Sequence, residues 1–137
     1  MIQANTTRKV KGWQRKTWHH KTEVPGTNLF RIEMIHHYEG ALEGEGSIQY
    51  LIAQNKNLTG SVIALEKVTG SIAGRAGSFV FQQIGTFEHG RLKLNLTVVP
   101  GSGTDQLSGL RGQAKLESEL HQEVYLLPFE YTFEESE

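Results

Sequence analysis

One carboxylate stands out in the middle of the chain because it interrupts a weakly polar stretch. Glu66 lies within Ser61–Val68, and if the even-numbered residues of that stretch face the interior of a sheet, its side chain is buried. Burial raises the pKa of a carboxyl group, which suits it to acid or base catalysis unless a cation pairs with it. Arg75 is the cation that we expect there. The pair is interpreted either as a structural ion pair between neighbouring strands or as part of a ligand site with Glu66 as the catalytic candidate.

The other residues capable of chemistry indicate no metal site. His19–His20 and His36–His37 are adjacent pairs on predicted strands, where neighbouring side chains point to opposite faces and do not bind one ion together. Glu43 and Glu45 share a face, but it is the face opposite the apolar side chains, so we predict a solvated rim. The chain has no cysteine, which excludes disulfides and thiolate ligands. We predict neither a metal nor a cofactor.

A glycine-rich segment, Gly101–Asp105, has backbone N–H groups that are able to hold an anion. It lacks the lysine of a phosphate-binding loop and the spacing of a dinucleotide fingerprint. We therefore interpret it as a turn that begins a short helix over Thr104–Leu110.

Charge is unevenly placed although the net charge is only -1. Residues 1–22 are basic without an acidic residue, whereas residues 116–137 hold glutamates without a Lys or Arg. One interpretation is a basic arm for a polyanion; the other is that the terminal strands lie side by side. The second predicts no nucleic-acid or membrane partner. It places Arg8, Lys9, Lys11, Arg15 and Lys16 opposite Glu123, Glu130, Glu134 and Glu135, with ladder bonds near Trp13 and Phe129.

The elements that must position these residues are strands. Apolar and polar residues alternate with period two, as in Phe30, Ile32 and Met34 against Arg31 and Glu33. The predicted strands cover 8–18, 28–40, 45–54, 59–69, 71–76, 78–87, 91–99, 112–120 and 123–133. Eight or nine strands in 137 residues, with 15 glycines for bends and turns, predict one all-β domain over 1–137, a closed antiparallel barrel with one short helix. Without a long apolar run or a signal-like N-terminus, we expect a cytoplasmic protein.

Three segments carry a family resemblance: Tyr38–Glu45, Leu65–Phe87 and Val98–Gly112. Over residues 29–133 the chain resembles the bacterial family called domain of unknown function 3224. That family is similar in turn to the allene oxide cyclase and dirigent barrels of plants, which share the spaced glycines of the third segment. The resemblance implies an eight-stranded antiparallel barrel with an apolar cavity. It assigns no chemistry, because no residue maps onto a cyclase catalytic residue.

Two functions follow as expectations. The first is a barrel that binds a small, largely apolar molecule and is compatible with isomerase or cyclase chemistry. Its predicted lining is Tyr50, Glu66, Arg75, Phe79, Phe81 and Gln83. The second is a non-enzymatic structural or interaction protein with a filled barrel. In both cases we expect a homo-oligomer, since Ile63 and Leu65 would lie exposed on the outer face if Glu66 points inward.

Overall fold

The protein is a closed barrel of eight antiparallel strands in a computed structural model that describes residues 1–17 and 26–134. The strands are β1 (Ile2–Thr17), β2 (Asn28–Gly40), β3 (Leu42–Gln54), β4 (Gly60–Ile72), β5 (Arg75–Glu88), β6 (Arg91–Val98), β7 (Leu110–Glu119) and β8 (Val124–Phe133). The predicted fold class is therefore confirmed. No helix among these described residues is long and apolar enough to cross a membrane.

Two predicted elements differ from the structure. The stretch 71–76 is not a strand of its own, because Ala73 and Gly74 both have positive φ angles, 52° and 79°, and form the tight turn of the β4–β5 hairpin. The predicted helix Thr104–Leu110 is reduced to one 3₁₀ turn, Asp105–Leu107. It ends there because Gly109 has a φ of 80° and Leu110 already pairs with β8.

β1 and β8 pair with each other and close the barrel, which confirms that the terminal strands are neighbours. Their ladder joins residues 2–9 to 124–131, with Ala4 opposite Phe129. After an irregularity between Val10 and Gly12, the rest of β1 pairs with β2, and Trp13 lies opposite Met34. The predicted ladder between residues near Trp13 and Phe129 is therefore wrong in register. Phe129 pairs with Ala4, which is about half the length of β1 away from Trp13.

That register also separates the charges that we expected to face each other. Arg8 points into the barrel, Lys11 pairs with Glu45 on β3 at 2.6 Å, and the Arg15 guanidinium lies 4.0 Å from the centre of the Phe30 ring. The predicted row of pairs between the two termini is thus wrong, because most of the basic residues follow the part of β1 that meets β8. Glu135 and the side chain of Lys16 lie outside the described residues.

The even-numbered residues of β4 face the interior, an orientation that the sequence pattern left open. Glu66 and its even-numbered neighbours Val62, Ala64 and Val68 are buried, whereas Ile63 and Leu65 are 51% and 59% exposed. The interior is apolar and sealed at the end of the barrel that carries the β2–β3 and β4–β5 hairpins. We call this the capped end; its buried side chains, each 1% exposed or less, include Leu42, Ile72, Phe79, Leu107 and Leu110.

The glycine-rich segment before the 3₁₀ turn covers the free edge of β5 near the capped end. β6 pairs with β5 only from Phe81 onward, so the preceding N–H groups of β5 need other partners. Ser102 Oγ accepts from Val80 N and Thr104 Oγ1 accepts from Ser78 N, both at 3.0 Å. Gly101–Asp105 is thus a structural turn, as predicted, and its side chains replace a missing piece of strand.

The opposite end of the barrel is packed less tightly. Several inward-facing apolar side chains there are half-buried, although Phe30, Val62 and Phe87 among them are buried. We call this end the mouth, and its half-buried residues are Ile32, Met34, Tyr50, Ile52, Leu92, Leu120 and Tyr125. The interior is therefore sealed at the capped end and less uniformly buried at the mouth.

Candidate functional site

A cluster of polar side chains lies inside the barrel between the capped end and the mouth. We call it the Glu66 cluster, and each member is 2% exposed or less. Its members come from four strands: Arg8 from β1, His36 and Tyr38 from β2, Glu66 from β4 and Gln83 from β5. All five occupy inward positions of their strands, so the alternation of the sheet brings them together from distant parts of the sequence.

Glu66 accepts hydrogen bonds from every other member. Its Oε1 accepts from Arg8 Nη2 at 2.8 Å, from the Tyr38 hydroxyl at 2.7 Å and from Gln83 Nε2 at 2.8 Å. Its Oε2 lies 2.8 Å from His36 Nδ1. Arg8 is held further, because its Nε donates to the Tyr38 oxygen at 2.9 Å and its Nη2 to Gln83 Oε1 at 3.2 Å. The buried charge is thus both paired and hydrogen-bonded, as burial requires.

A glycine on β3 makes room for the carboxylate. A Cβ atom at Gly46 would overlap Glu66 Oε2, the oxygen that meets His36. β3 contributes no polar side chain to the cluster, and its contribution is this space between β2 and β4. The motif Glu43–Ser47, in which glycines alternate with polar residues, therefore has a packing reason.

The electrostatics keep Glu66 ionised. Burial alone would raise its pKa, but the Arg8 charge and the hydrogen bonds from His36 and Tyr38 outweigh burial and lower the pKa to about 2. Burial acts to lower the pKa of Arg8, yet Tyr38 and Glu66 raise it above its ordinary value. The pair is therefore charged at neutral pH. A carboxylate with so low a pKa is a weak base, so the structure does not favour Glu66 as a catalytic residue.

His36 is neutral at the same pH. Burial and the nearby Arg8 charge lower its pKa, and the hydrogen bond to Glu66 offsets this only in part. Since the ionised Glu66 can only accept, Nδ1 of His36 must carry the proton and donate it. The ring is thereby held in the tautomer whose Nε2 has a free lone pair. A carboxylate bound to Nδ1 orients a histidine in this way when its Nε2 acts as a base or as a hydrogen-bond acceptor.

The structure brings together some of the predicted lining residues. Glu66 and Gln83 are in the cluster, and the half-buried ring of Tyr50 lies at its edge, with its centroid 6.5 Å from that of His36. Phe79 and Phe81 are wholly buried and pack edge to face at 4.9 Å, so they belong to the sealed core rather than to an accessible lining.

Arg75 lies apart from the cluster, and its predicted pair with Glu66 is wrong. In the β4–β5 ladder Arg75 is opposite Ile72 at the hairpin, whereas Glu66 is opposite Phe81. The Arg75 side chain is exposed and lies over the Phe133 ring, 4.0 Å from its centroid. The register of the hairpin separates the two residues by several positions, and Arg8 takes the place at the carboxylate.

Three members of the cluster were missed in the sequence. His36 and Tyr38 continue the inward parity of Ile32 and Met34, and that parity was the available signal for a polar pair inside the barrel. Arg8 had no such signal, because it stands within a basic segment that is typical of a surface.

Two further predictions on polar residues are tested in part. Glu43 and Glu45 are exposed, as predicted. Among residues 1–17 and 26–134 no group of three or more metal-ligating side chains is found, while His19–His20 lies outside them. A surface depression of about 630 Å³ lies outside the barrel near Gly44, Gly70 and Thr104 rather than at the cluster.

Comparison with known proteins agrees with the fold and identifies the family. The model of a family described as protein of unknown function, DUF3224, matches residues 4–131. The chain belongs to the DUF3224 family. A crystal structure of a DUF3224 protein with unknown function from Shewanella oneidensis is 30% identical, with a TM-score of 0.83 and 99% of both chains covered. No curated protein matches the chain. The family resemblance is confirmed; the likeness to allene oxide cyclase stays a prediction.

Removal of one charge of the cluster should destabilise the protein strongly. Arg8→Met leaves the Glu66 carboxylate buried without its cation, and we expect a loss of about 3–5 kcal/mol in the free energy of unfolding. The double variant Arg8→Met/Glu66→Gln should lose less than the sum of the single variants. Urea denaturation of all three measures this coupling. Lys11→Met, which removes an exposed pair with Glu45, is the matched control and should change little. Strictly additive losses would contradict the coupling.

The contribution of Glu66 to the free energy of unfolding should decrease at acid pH. The folded pKa of Glu66, about 2, is below its ordinary value of 4.5, so the folded state binds fewer protons than the unfolded state between these values. Stability from Glu66 is present above pH 4.5 and is lost as the pH falls toward 2, by about 3 kcal/mol. Denaturation at a series of pH values measures it. The double variant should show a correspondingly shallower decline, and an equal decline in both proteins would refute the assignment.

Proposed function

We propose that this DUF3224 protein binds a small, largely apolar molecule at the mouth of its barrel. The observation that carries the proposal is the contrast in burial between the two ends. Inward-facing apolar side chains such as Met34 and Ile52 are half-buried at the mouth, whereas Leu42 and Ile72 at the capped end are 1% exposed or less. Small-molecule sites are frequently lined by apolar side chains and occur in the mouths of β-barrels.

The proposal keeps part of the predicted lining and revises the rest. Tyr50 remains in the wall, and Glu66 and Gln83 form part of the polar floor beneath it. Phe79, Phe81 and Arg75 are left out, because the first two fill the core and the third lies at a hairpin. We propose binding rather than isomerase or cyclase chemistry, since the low pKa of Glu66 makes it a weak base.

Titration with p-xylene tests the site, because this probe is small and wholly apolar. Methyl resonances of the mouth residues Ile32, Met34 and Ile52 should shift with saturation, while those of Leu42 and Ile72 in the sealed end should not. Ile52→Trp fills the mouth and should abolish the shifts. Ile63→Trp, on the outer face of β4, is the matched control and should leave them unchanged. Absence of saturable shifts at the mouth, or shifts confined to the outer face, would overturn the proposal.

A specific observation also favours assembly with a second copy of the chain. Leu51, Ile63 and Ile84 lie directly opposite one another on the outer faces of β3, β4 and β5, and they are 36%, 51% and 52% exposed. Leu65, 59% exposed, lies beside them on β4. The barrel is closed, and an exposed apolar face of this kind on its outer surface is one that we expect a second copy to cover. We propose that this apolar face forms a homo-oligomer.

Sedimentation equilibrium tests the assembly at micromolar concentration. The wild-type chain should have a mass above the 15.4 kDa of one copy, and Ile63→Lys should shift the mass toward 15.4 kDa because it places a charge in the contact. Thr97→Lys, an exposed position on the outer face of β6, is the control and should not alter the mass. A wild-type monomer would refute this second function and leave ligand binding at the mouth untouched.

A further inference from the structure

One polar atom of the Glu66 cluster is left without a partner on the side away from the carboxylate. His36 Nδ1 is bound to Glu66, but Nε2, on the far side of the ring, makes no hydrogen bond to any residue in the described part of the chain. The His36 side chain is 1% exposed, so this nitrogen is an acceptor inside the barrel rather than on its surface.

The position of His36 along β2 places this atom at the floor of the mouth. Met34 and Ile32, the next inward-facing residues of β2, are both half-buried mouth residues. The ring of Tyr50, another mouth residue, approaches His36 edge to face with centroids 6.5 Å apart. A molecule held between these side chains therefore has His36 as its nearest member of the cluster.

The cluster determines what kind of group His36 is able to bind. Because Nδ1 donates to an ionised carboxylate, Nε2 is an acceptor, and its partner must be a donor. The charges of Arg8 and Glu66 cancel at 2.8 Å, so the floor gives no net attraction to an ionic ligand. A bare acceptor beneath apolar walls discriminates against molecules that lack a donor, because the acceptor would then lose water without compensation.

We propose that the floor of the mouth recognises the hydroxyl group of a small, neutral alcohol or phenol, which donates a hydrogen bond to Nε2 of His36. This inference rests on the proposed function and names the class of ligand for that site. Glu66 acts as a positioning residue, because it fixes the tautomer and orientation of the imidazole without touching the ligand. Tyr50, which contacts the His36 ring, forms the adjacent wall.

The experiment compares p-cresol with p-xylene, which differ by a hydroxyl in place of a methyl group. Both should shift the mouth methyl resonances, and p-cresol should bind about tenfold more tightly, which corresponds to one hydrogen bond. The ¹⁵N resonance of His36 Nε2 should move with p-cresol and not with p-xylene. This second readout needs no variant and does not depend on stability.

Two variants identify the acceptor. His36→Phe should reduce the preference for p-cresol to near unity, while Thr97→Val, at an exposed position of β6 away from the mouth, should keep it. Tyr50→Phe removes the neighbouring hydroxyl and tests whether Tyr50 binds the ligand hydroxyl instead. If both probes bind the mouth equally and the His36 resonance is unmoved, the inference is wrong and the proposed function stands. A preference lost in Tyr50→Phe without movement of the His36 resonance also overturns it, because Tyr50 is then the group that reads the hydroxyl. If neither probe binds at the mouth, the proposed function itself fails.

Discussion

The ion pair between Arg8 and Glu66 is the constraint on which the interior of this barrel depends. Two charges that are taken out of water are tolerated only with close pairing and further hydrogen bonds, and here Tyr38, His36 and Gln83 supply them. Together with Arg8 and Glu66 these residues come from β1, β2, β4 and β5, so one carboxylate links half of the strands. A slip of one residue in any of them would turn a polar group to the wrong face. The cluster therefore specifies register as well as contributing to stability.

The cluster also separates two kinds of interior. On one side the apolar side chains are sealed, with aromatic rings such as Phe81 and Phe129 packed edge to face at 5.7 Å. On the other side, side chains of similar chemistry are left half-buried. A solid core near the capped end is able to hold the polar groups in place, so that the accessible half does not have to supply rigidity. The division explains how a small barrel is stable although the side chains at its mouth are less completely buried.

Much of the fold was predictable from the sequence, because alternation is a local property. Phe30, Ile32 and Met34 identify β2 and its inward face, whereas the weakly polar stretch around Glu66 left open which of its residues face the interior. The partner of Glu66 was not predictable, because it depends on registers between strands far apart in the chain. Arg75 is close in sequence but is displaced by the hairpin, whereas Arg8 lies 58 positions away and is brought in by barrel closure. The alternation of apolar and polar residues predicts which face of the sheet a side chain lies on. It does not predict which side chain from a distant strand it contacts.

The closure between β1 and β8 has a consequence for the order of events in folding. Seven of the eight ladders join consecutive strands and can form as hairpins, but the eighth joins residues 2–9 to residues 124–131. During synthesis on the ribosome, β1 therefore waits for the last strand while one of its edges has no partner. Such a long loop closure is entropically unfavourable and slows folding. Until this ladder forms, the backbone of Arg8 is paired with β2 but not with β8. The unpaired edge of β1 is then the place where the nascent sheet is most vulnerable to pairing with another chain.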